Sequence, residues 1–210
     1  MPITALSQLD PQNYYTYADY LTWQFRERVE LVLGKILPMS PAAGSRHQQA
    51  VKSLMVHVQN HLYYSGNPCM VFPAPFDVIF PNPDGEAHTI LQPDITVVCD
   101  PSKIKEKGCM GIPDLVVEVI SPSSVRHDLH TKYLTYESYG VREYWVVYPR
   151  EKNLILFKLD QSGKYSASKP ITIGQPITSD IFPGLYLDLE DVFRDVVNEP
   201  EPVNVKEIRI

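Results

Sequence analysis

The sequence is poor in several things, and each shortage excludes something. No apolar run in its 210 residues reaches the roughly 20 needed to cross a bilayer as a helix, so no membrane span is expected. The first twenty residues are polar and tyrosine-rich and lack a basic start followed by an apolar stretch, so no signal peptide is expected. Only three cysteines occur, Cys69, Cys99 and Cys109. Their number is odd and none are paired at zinc-site spacing, so reduced thiols in the cytoplasm are expected. Positive charge is short as well: 19 Lys and Arg face 25 Asp and Glu, a net charge of -6. That balance counts against a broad basic surface gripping nucleic acid. It leaves open a site in which carboxylates and a bound metal ion set the local sign. There is no internal repeat and no low-complexity tract.

What is present is an ordinary globular mixture, 44% apolar and 21% charged, enough to build a real core in a chain of this length. One domain is expected. The 19 prolines fall mostly at segment ends and read as loop punctuation rather than disorder.

The hydrophobic pattern predicts a helix from about Thr16, with Thr16 and Asp19 at capping spacing. Arg28–Leu33 and Lys35–Pro38 around Gly34 predict a β-hairpin. Ser45-x-x-Gln48 reads as a capping box for a helix whose apolar face is Val51, Leu54, Met55, Val58 and Leu62, ending at Gly66. Strands are expected at Phe76–Phe80, Ile90–Cys99, Leu115–Ile120, Glu143–Tyr148 and Leu154–Leu159. A second helix is expected over His127–Tyr139, with Ser123 or Ser124 as cap and Gly140 as stop. Turns are expected near Lys152, Gly163 and Pro183-Gly184, then a polar tail after Asn198. This order predicts an α/β sandwich around a mixed sheet.

One residue is out of place in that pattern. Glu118 stands alone among the aliphatic residues of Leu115–Ile120, a run typical of a strand covered on both faces. An unpaired buried charge costs several kcal/mol, a large fraction of a small domain's stability. Glu118 is therefore protonated, paired with a cation, or bound to a metal. Two Pro-Asp dipeptides offer a second acid. Asp114 is on the same strand, roughly 13 Å away at about 3.3 Å per residue, too far to share an ion. Asp94 is on another strand, and neighbouring strands lie only about 4.8 Å apart. Asp94 and Glu118 can converge on one ion, and such oxygen ligands suit Mg2+ or Mn2+. On the helical wheel Lys132 flanks the apolar stripe of Leu129, Tyr133, Tyr136 and Gly140, placing it within reach of a carboxylate on the preceding strand. The plainer account makes Asp94 a strand-entry residue and Glu118 with Lys132 a structural ion pair.

The combined pattern weighs against the plainer account. Gln92-Pro-Asp94-Ile-Thr-Val-Val98 is followed by Pro113-Asp-Leu-Val-Val-Glu118-Val-Ile-Ser-Pro-Ser123. Asp128-Leu-His-Thr-Lys132-Tyr-x-x-Tyr136 and Gly140-Val-Arg-Glu-Tyr-Trp-Val-Val-Tyr-Pro149 come next. Together with Val29-Glu30-Leu-x-x-Gly34, His47 and Phe182-Pro-Gly-Leu185, these resemble the Uma-two family of restriction endonucleases, placed in the PD-(D/E)XK nuclease superfamily. The resemblance covers about residues 25–195. It implies a restriction-endonuclease-like fold: a central mixed sheet flanked by helices, with an N-terminal hairpin and a C-terminal β extension. The nuclease-like core is expected at about 25–160, and the extension and tail at about 161–210.

The resemblance also implies metal-dependent hydrolysis of DNA phosphodiesters. Asp94 matches the first acid and Glu118 the second. Ile120 stands where the usual lysine falls, and Lys132, on the following helix, matches the family's position for it. Glu30 resembles an additional upstream acid that binds the metal or its water. Asp94, Glu118 and the Val119 carbonyl are the expected ligands of Mg2+ or Mn2+. His47, Ser121, Ser123 and Arg126 are candidates for substrate contact, although a helix-end position accounts for His47 and helix capping for the two serines without any further role. Asp77 reads as a polar strand residue, near the site or simply satisfied. His127, His130 and the Lys103/Lys105/Lys107 loop are further basic candidates for the DNA backbone. The expected activity is a divalent-metal-dependent endonuclease, as a homodimer because duplex cleavage needs two cuts. The alternatives are a catalytically silent nuclease-fold protein with a DNA-binding or regulatory role, and a small-molecule hydrolase using the same carboxylates.

Overall fold

The computed structural model describes residues 2–39, 44–120 and 127–194. Helix α1 (Tyr17–Tyr20) opens with the expected reciprocal cap: the Thr16 hydroxyl accepts from the Asp19 amide, and the Asp19 carboxylate accepts from the Thr16 amide. Strands β1 (Val29–Val32) and β2 (Lys35–Pro38) form the expected hairpin. Its turn needs positive φ at both central residues, 50° at Leu33 and 80° at Gly34.

Helix α2 (Ser45–Tyr64) buries Ala50, Leu54, Val58 and Leu62 along one stripe, with Val51 and Met55 partly covered at its edge. The capping box expected at Ser45 is not formed. Gly44 is the N-cap, so Ser45 already lies in the helix and its side chain is not at the capping position. At the other end Gly66 takes φ 66°, and the Asn67 amide bonds back to the Leu62 carbonyl, closing the helix as its glycine predicts.

Strands β3 (Met70–Pro73), β4 (Asp77–Pro81), β5 (Ala87–Leu91), β6 (Ile95–Val98), β7 (Ile104–Lys105), β8 (Gly108–Met110) and β9 (Leu115–Val119) follow. The single strand expected over Ile90–Cys99 is two strands in two different sheets, β5 and β6. Gln92-Pro93-Asp94 separates them; proline cannot donate to a ladder, and the chain crosses between sheets there. Helix α3 (His127–Tyr139), β10 (Glu143–Tyr148) and β11 (Asn153–Leu159) lie where the pattern placed them. The short strands β12 (Tyr165–Ala167), β13 (Ile171–Thr172), β14 (Pro176–Ile177) and β15 (Leu187–Asp188) and helix α4 (Leu189–Phe193) complete the described chain. The caps expected at Ser123 or Ser124 and the tail after Asn198 lie outside the described residues.

One sheet runs β2-β1-β5-β4-β8-β7 and the other β12-β11-β10-β9-β6-β3, both mixed. In the second sheet β9 is central, antiparallel to β6 and parallel to β10. All five of its residues are buried, because alternate side chains enter two different cores. Leu115, Val117 and Val119 meet α2, α4 and the C-terminal segment. Val116 faces the layer that holds Tyr136 of α3 and Val78, Phe80 and Leu91 of the first sheet. Glu118 shares the parity of Val116, so its carboxylate enters the layer between the sheets. The far face of the first sheet, with Leu31, Ile79 and Ile90, is covered by Tyr15, Tyr17, Tyr20 and Trp23 of the N-terminal segment.

The expectation of three reduced cysteines is not met. The β3–β6 register pairs Met70 with Val98, which brings Cys69 and Cys99 face to face one step further on, and they form a disulfide. Cys109 is free and buried.

Two outcomes follow. Alkylation of unfolded, unreduced protein labels Cys109 alone, and prior reduction adds Cys69 and Cys99, as a mass spectrum reads directly. Leu54→Ala, at a fully enclosed position, lowers the unfolding free energy by about 2–5 kcal/mol in urea titration.

Candidate active site

Asp94 and Glu118 lie at the seam between the sheets. The β6–β9 register pairs Ile95 with Val117, so Asp94, the residue just before β6, lies beside the end of β9 that carries Glu118 and Val119. The Val119 amide donates to Asp94 Oδ2 at 2.7 Å, tying the turn to the end of β9. His47, in the first turn of α2, places Nε2 3.1 Å from the same oxygen. Asp94 Oδ1 receives no hydrogen bond among the described residues, and the side chain is one-fifth exposed, so one carboxylate oxygen faces outward.

Glu118 is 7% exposed and Lys132 4% exposed. The Lys132 ammonium donates to Glu118 Oε1 at 3.0 Å. It also lies 3.2 Å from Oε1 of Glu30, a β1 residue only 2% exposed. Lys132 thus bridges two buried carboxylates that come from different sheets. Tyr136, one helical turn after Lys132, donates its hydroxyl to the same Glu118 Oε1 at 2.8 Å. Burial first, and the Glu118 charge second, hold this phenol well above its usual pKa, so it remains a donor.

Gln92 links the neighbouring polar groups. Its amide donates to Glu30 Oε1 at 2.7 Å. Its carboxamide donates to Asp77 Oδ1 at 2.6 Å and accepts from Arg28 Nε at 3.1 Å. Burial raises the Asp77 pKa, opposed by the Gln92 and Tyr20 hydrogen bonds and the Arg28 charge. Asp77 therefore sits beside the cluster as a satisfied strand residue. Asp114 is set apart, as its spacing predicted: it accepts the Cys99 amide at 2.6 Å and pairs with Arg142.

Of the residues singled out from the sequence, Glu118, Lys132 and Glu30 form one ion cluster and His47 pairs with Asp94, the two groups adjoining where the Val119 amide meets Asp94. Ser121, Ser123 and Arg126 lie outside the described residues. Lys103 bonds the Ile112 carbonyl on a surface loop. Sequence reasoning missed the roles of Gln92 and Tyr136. The signal for Tyr136 was its i+4 spacing from Lys132, which puts both on one helix face.

Oxygen donors of this kind fit a hard divalent cation. Among the described residues no group of three or more His, Cys, Asp or Glu side chains could hold a metal. Mg2+ does not require one: it keeps several waters and is bound through one or two carboxylates. The outward oxygen of Asp94, beside the end of β9, meets that requirement.

The fold is an α/β, restriction-endonuclease-like one built on mixed sheets. The chain belongs to the Uma2 family, whose model, described as "Putative restriction endonuclease", matches residues 17–190. A relative from Synechocystis sp. (strain ATCC 27184 / PCC 6803 / Kazusa), "Uncharacterized protein slr1290", is 31% identical over 121 residues. That match spans 56% of this chain and 60% of the relative. A crystal structure from Anabaena variabilis ATCC 29413, of "a putative nuclease belonging to DUF820", superposes with a TM-score of 0.65. It shares 18% identity and covers 87% of this chain and 99% of its own, a likeness that establishes the fold.

The ion cluster has a measurable stability signature. Lys132→Met leaves two buried acids without their shared cation and lowers unfolding free energy by about 3–5 kcal/mol. Adding Glu118→Gln to that variant restores part of the loss, read from the same denaturant titration.

Proposed function

We propose that the protein is a divalent-metal-dependent endonuclease that hydrolyses DNA phosphodiester bonds. The observation that carries this reading is the placement of Lys132 on Glu118, with Asp94 on the adjoining strand offering an outward oxygen. Family membership supports the same chemistry.

Asp94, Glu118 and the Val119 carbonyl would hold Mg2+ or Mn2+. Such an ion lowers the pKa of water and neutralises charge on a scissile phosphate. Lys132 orients the attacking water or stabilises charge developing on the phosphate. Glu118 and Glu30 keep that ammonium in place. His47 restrains Asp94 through Oδ2, and its position at the start of α2 suits contact with a phosphate. Ser121, Ser123 and Arg126 are proposed to contact substrate. The net charge of -6 confines DNA attraction to the site and its rim. Cleavage of both strands calls for two copies, hence a homodimer. No helix among the described residues is long and apolar enough to cross a membrane.

Purified protein is expected to nick supercoiled plasmid with Mg2+ or Mn2+ and to stop when EDTA is added. Asp94→Ala lowers the rate by at least about 100-fold, beyond the usual loss for an outer-shell partner. Equal nicking by both proteins would sink the proposal.

A further inference from the structure

We infer that Glu30 is a positioning residue that acts on Lys132 and is not a ligand of the metal. This inference rests on the nuclease reading above and assigns a role within that site.

Two observations carry it. First, Glu30 Oε1 already serves two donors, the Gln92 amide at 2.7 Å and the Lys132 ammonium at 3.2 Å. Second, Glu30 is only 2% exposed, whereas the Asp94 side chain is one-fifth exposed and reachable by a cation from solvent. Glu30 is therefore enclosed beside the lysine, apart from the exposed oxygen of Asp94.

The backbone explains why. Glu30 is on β1 of the first sheet, whereas Glu118 is on β9 of the second and Asp94 is in the turn that leads into β6 beside it. The Gln92-Pro93-Asp94 turn links the two systems. Its first residue holds Glu30 through its amide, and its last carries the outward carboxylate. The Gln92 side chain is anchored in turn by Arg28 and Asp77. One turn thus sets both the carboxylate that steadies the lysine and the carboxylate that faces a cation. A long ammonium side chain has many rotamers. Held between Glu30 and Glu118, Lys132 is confined to one of them, which is what a group aimed at a reacting phosphate needs.

The test separates acting on the lysine from binding the ion. Glu30→Gln keeps an oxygen for the Gln92 amide and removes the charge that Lys132 faces. At saturating Mg2+ its kcat for plasmid nicking is expected to fall about 10–100-fold, the range for an outer-shell partner. Mn2+ affinity, measured by titration without DNA, is expected to stay within about twofold of the unaltered protein, because no ligand is lost. Glu30→Gln combined with Lys132→Gln should lose no more activity than Lys132→Gln alone, since residues acting as a unit are non-additive. Glu30→Asp withdraws the charge without removing it. It gives a smaller loss of kcat with the same Mn2+ affinity, and it decides the matter if Glu30→Gln does not fold.

A loss of Mn2+ affinity in Glu30→Gln or Glu30→Asp as large as that in Asp94→Ala, more than about 100-fold, would make Glu30 a ligand and overturn the inference. Unchanged kcat, or losses that multiply in the double variant, would overturn it as well. The two readings fail separately. Unaltered protein that binds Mn2+ through Asp94 but cleaves no DNA removes the nuclease reading. Glu30 is then judged on Mn2+ affinity alone, with retention supporting its place outside the coordination sphere and loss refuting it.

Discussion

The ammonium of Lys132, enclosed between Glu118 and Glu30, is the contact around which the middle of the molecule is organised. Each acid is buried, and each alone would cost several kcal/mol to keep charged. The shared cation offsets that cost. It also joins three elements that the chain places far apart: β1 in one sheet, β9 in the other and α3 between them. Replacing such a cluster with apolar side chains of equal volume would often be neutral or stabilising. Here it sits in a layer that also holds Val116, Tyr136, Phe80 and Tyr144.

The chemistry proposed for the site follows from its position at a seam. β6 and β9 are antiparallel, so the start of one and the end of the other coincide, and Asp94 falls beside the end of β9 that carries Glu118 and Val119. The turn into β6 contains proline, which interrupts the ladder and leaves the aspartate at the rim rather than inside the core. One acid is thereby one-fifth exposed while its partner is enclosed. Asp94 presents an oxygen outward, and Glu118 is pinned through Oε1 by Lys132 and Tyr136. Both carboxylates are thereby held in place by bonds of the fold itself.

The disulfide between Cys69 and Cys99 shows where composition misleads. Counting three cysteines without a zinc pattern points to free thiols. The antiparallel register of β3 and β6 brings residues thirty positions apart into direct opposition. That proximity is a property of sheet pairing, and nothing in the spacing reveals it. The same limit applies to the strand expected over Ile90–Cys99. Its apolar pattern continues through Gln92-Pro93-Asp94, yet the chain changes sheets there.

Local chemistry settled what local chemistry can. The Thr16 cap, the Leu33-Gly34 turn, the α2 stripe ending at Gly66 and the extent of α3 all rest on interactions within a few residues, which periodicity and turn propensity encode. Glu118 among aliphatic neighbours was likewise visible, because a charge inside a buried run demands compensation wherever the run is found. Lys132 could be named as its partner from helix position and resemblance. The assignment of strands to two sheets, the bond from Glu30 to Lys132, the hub made by Gln92 and the hydroxyl of Tyr136 on Glu118 were decided by packing. Each depends on which distant segments share a layer, and pairwise register across a sheet is set by the whole core at once rather than by any stretch of sequence.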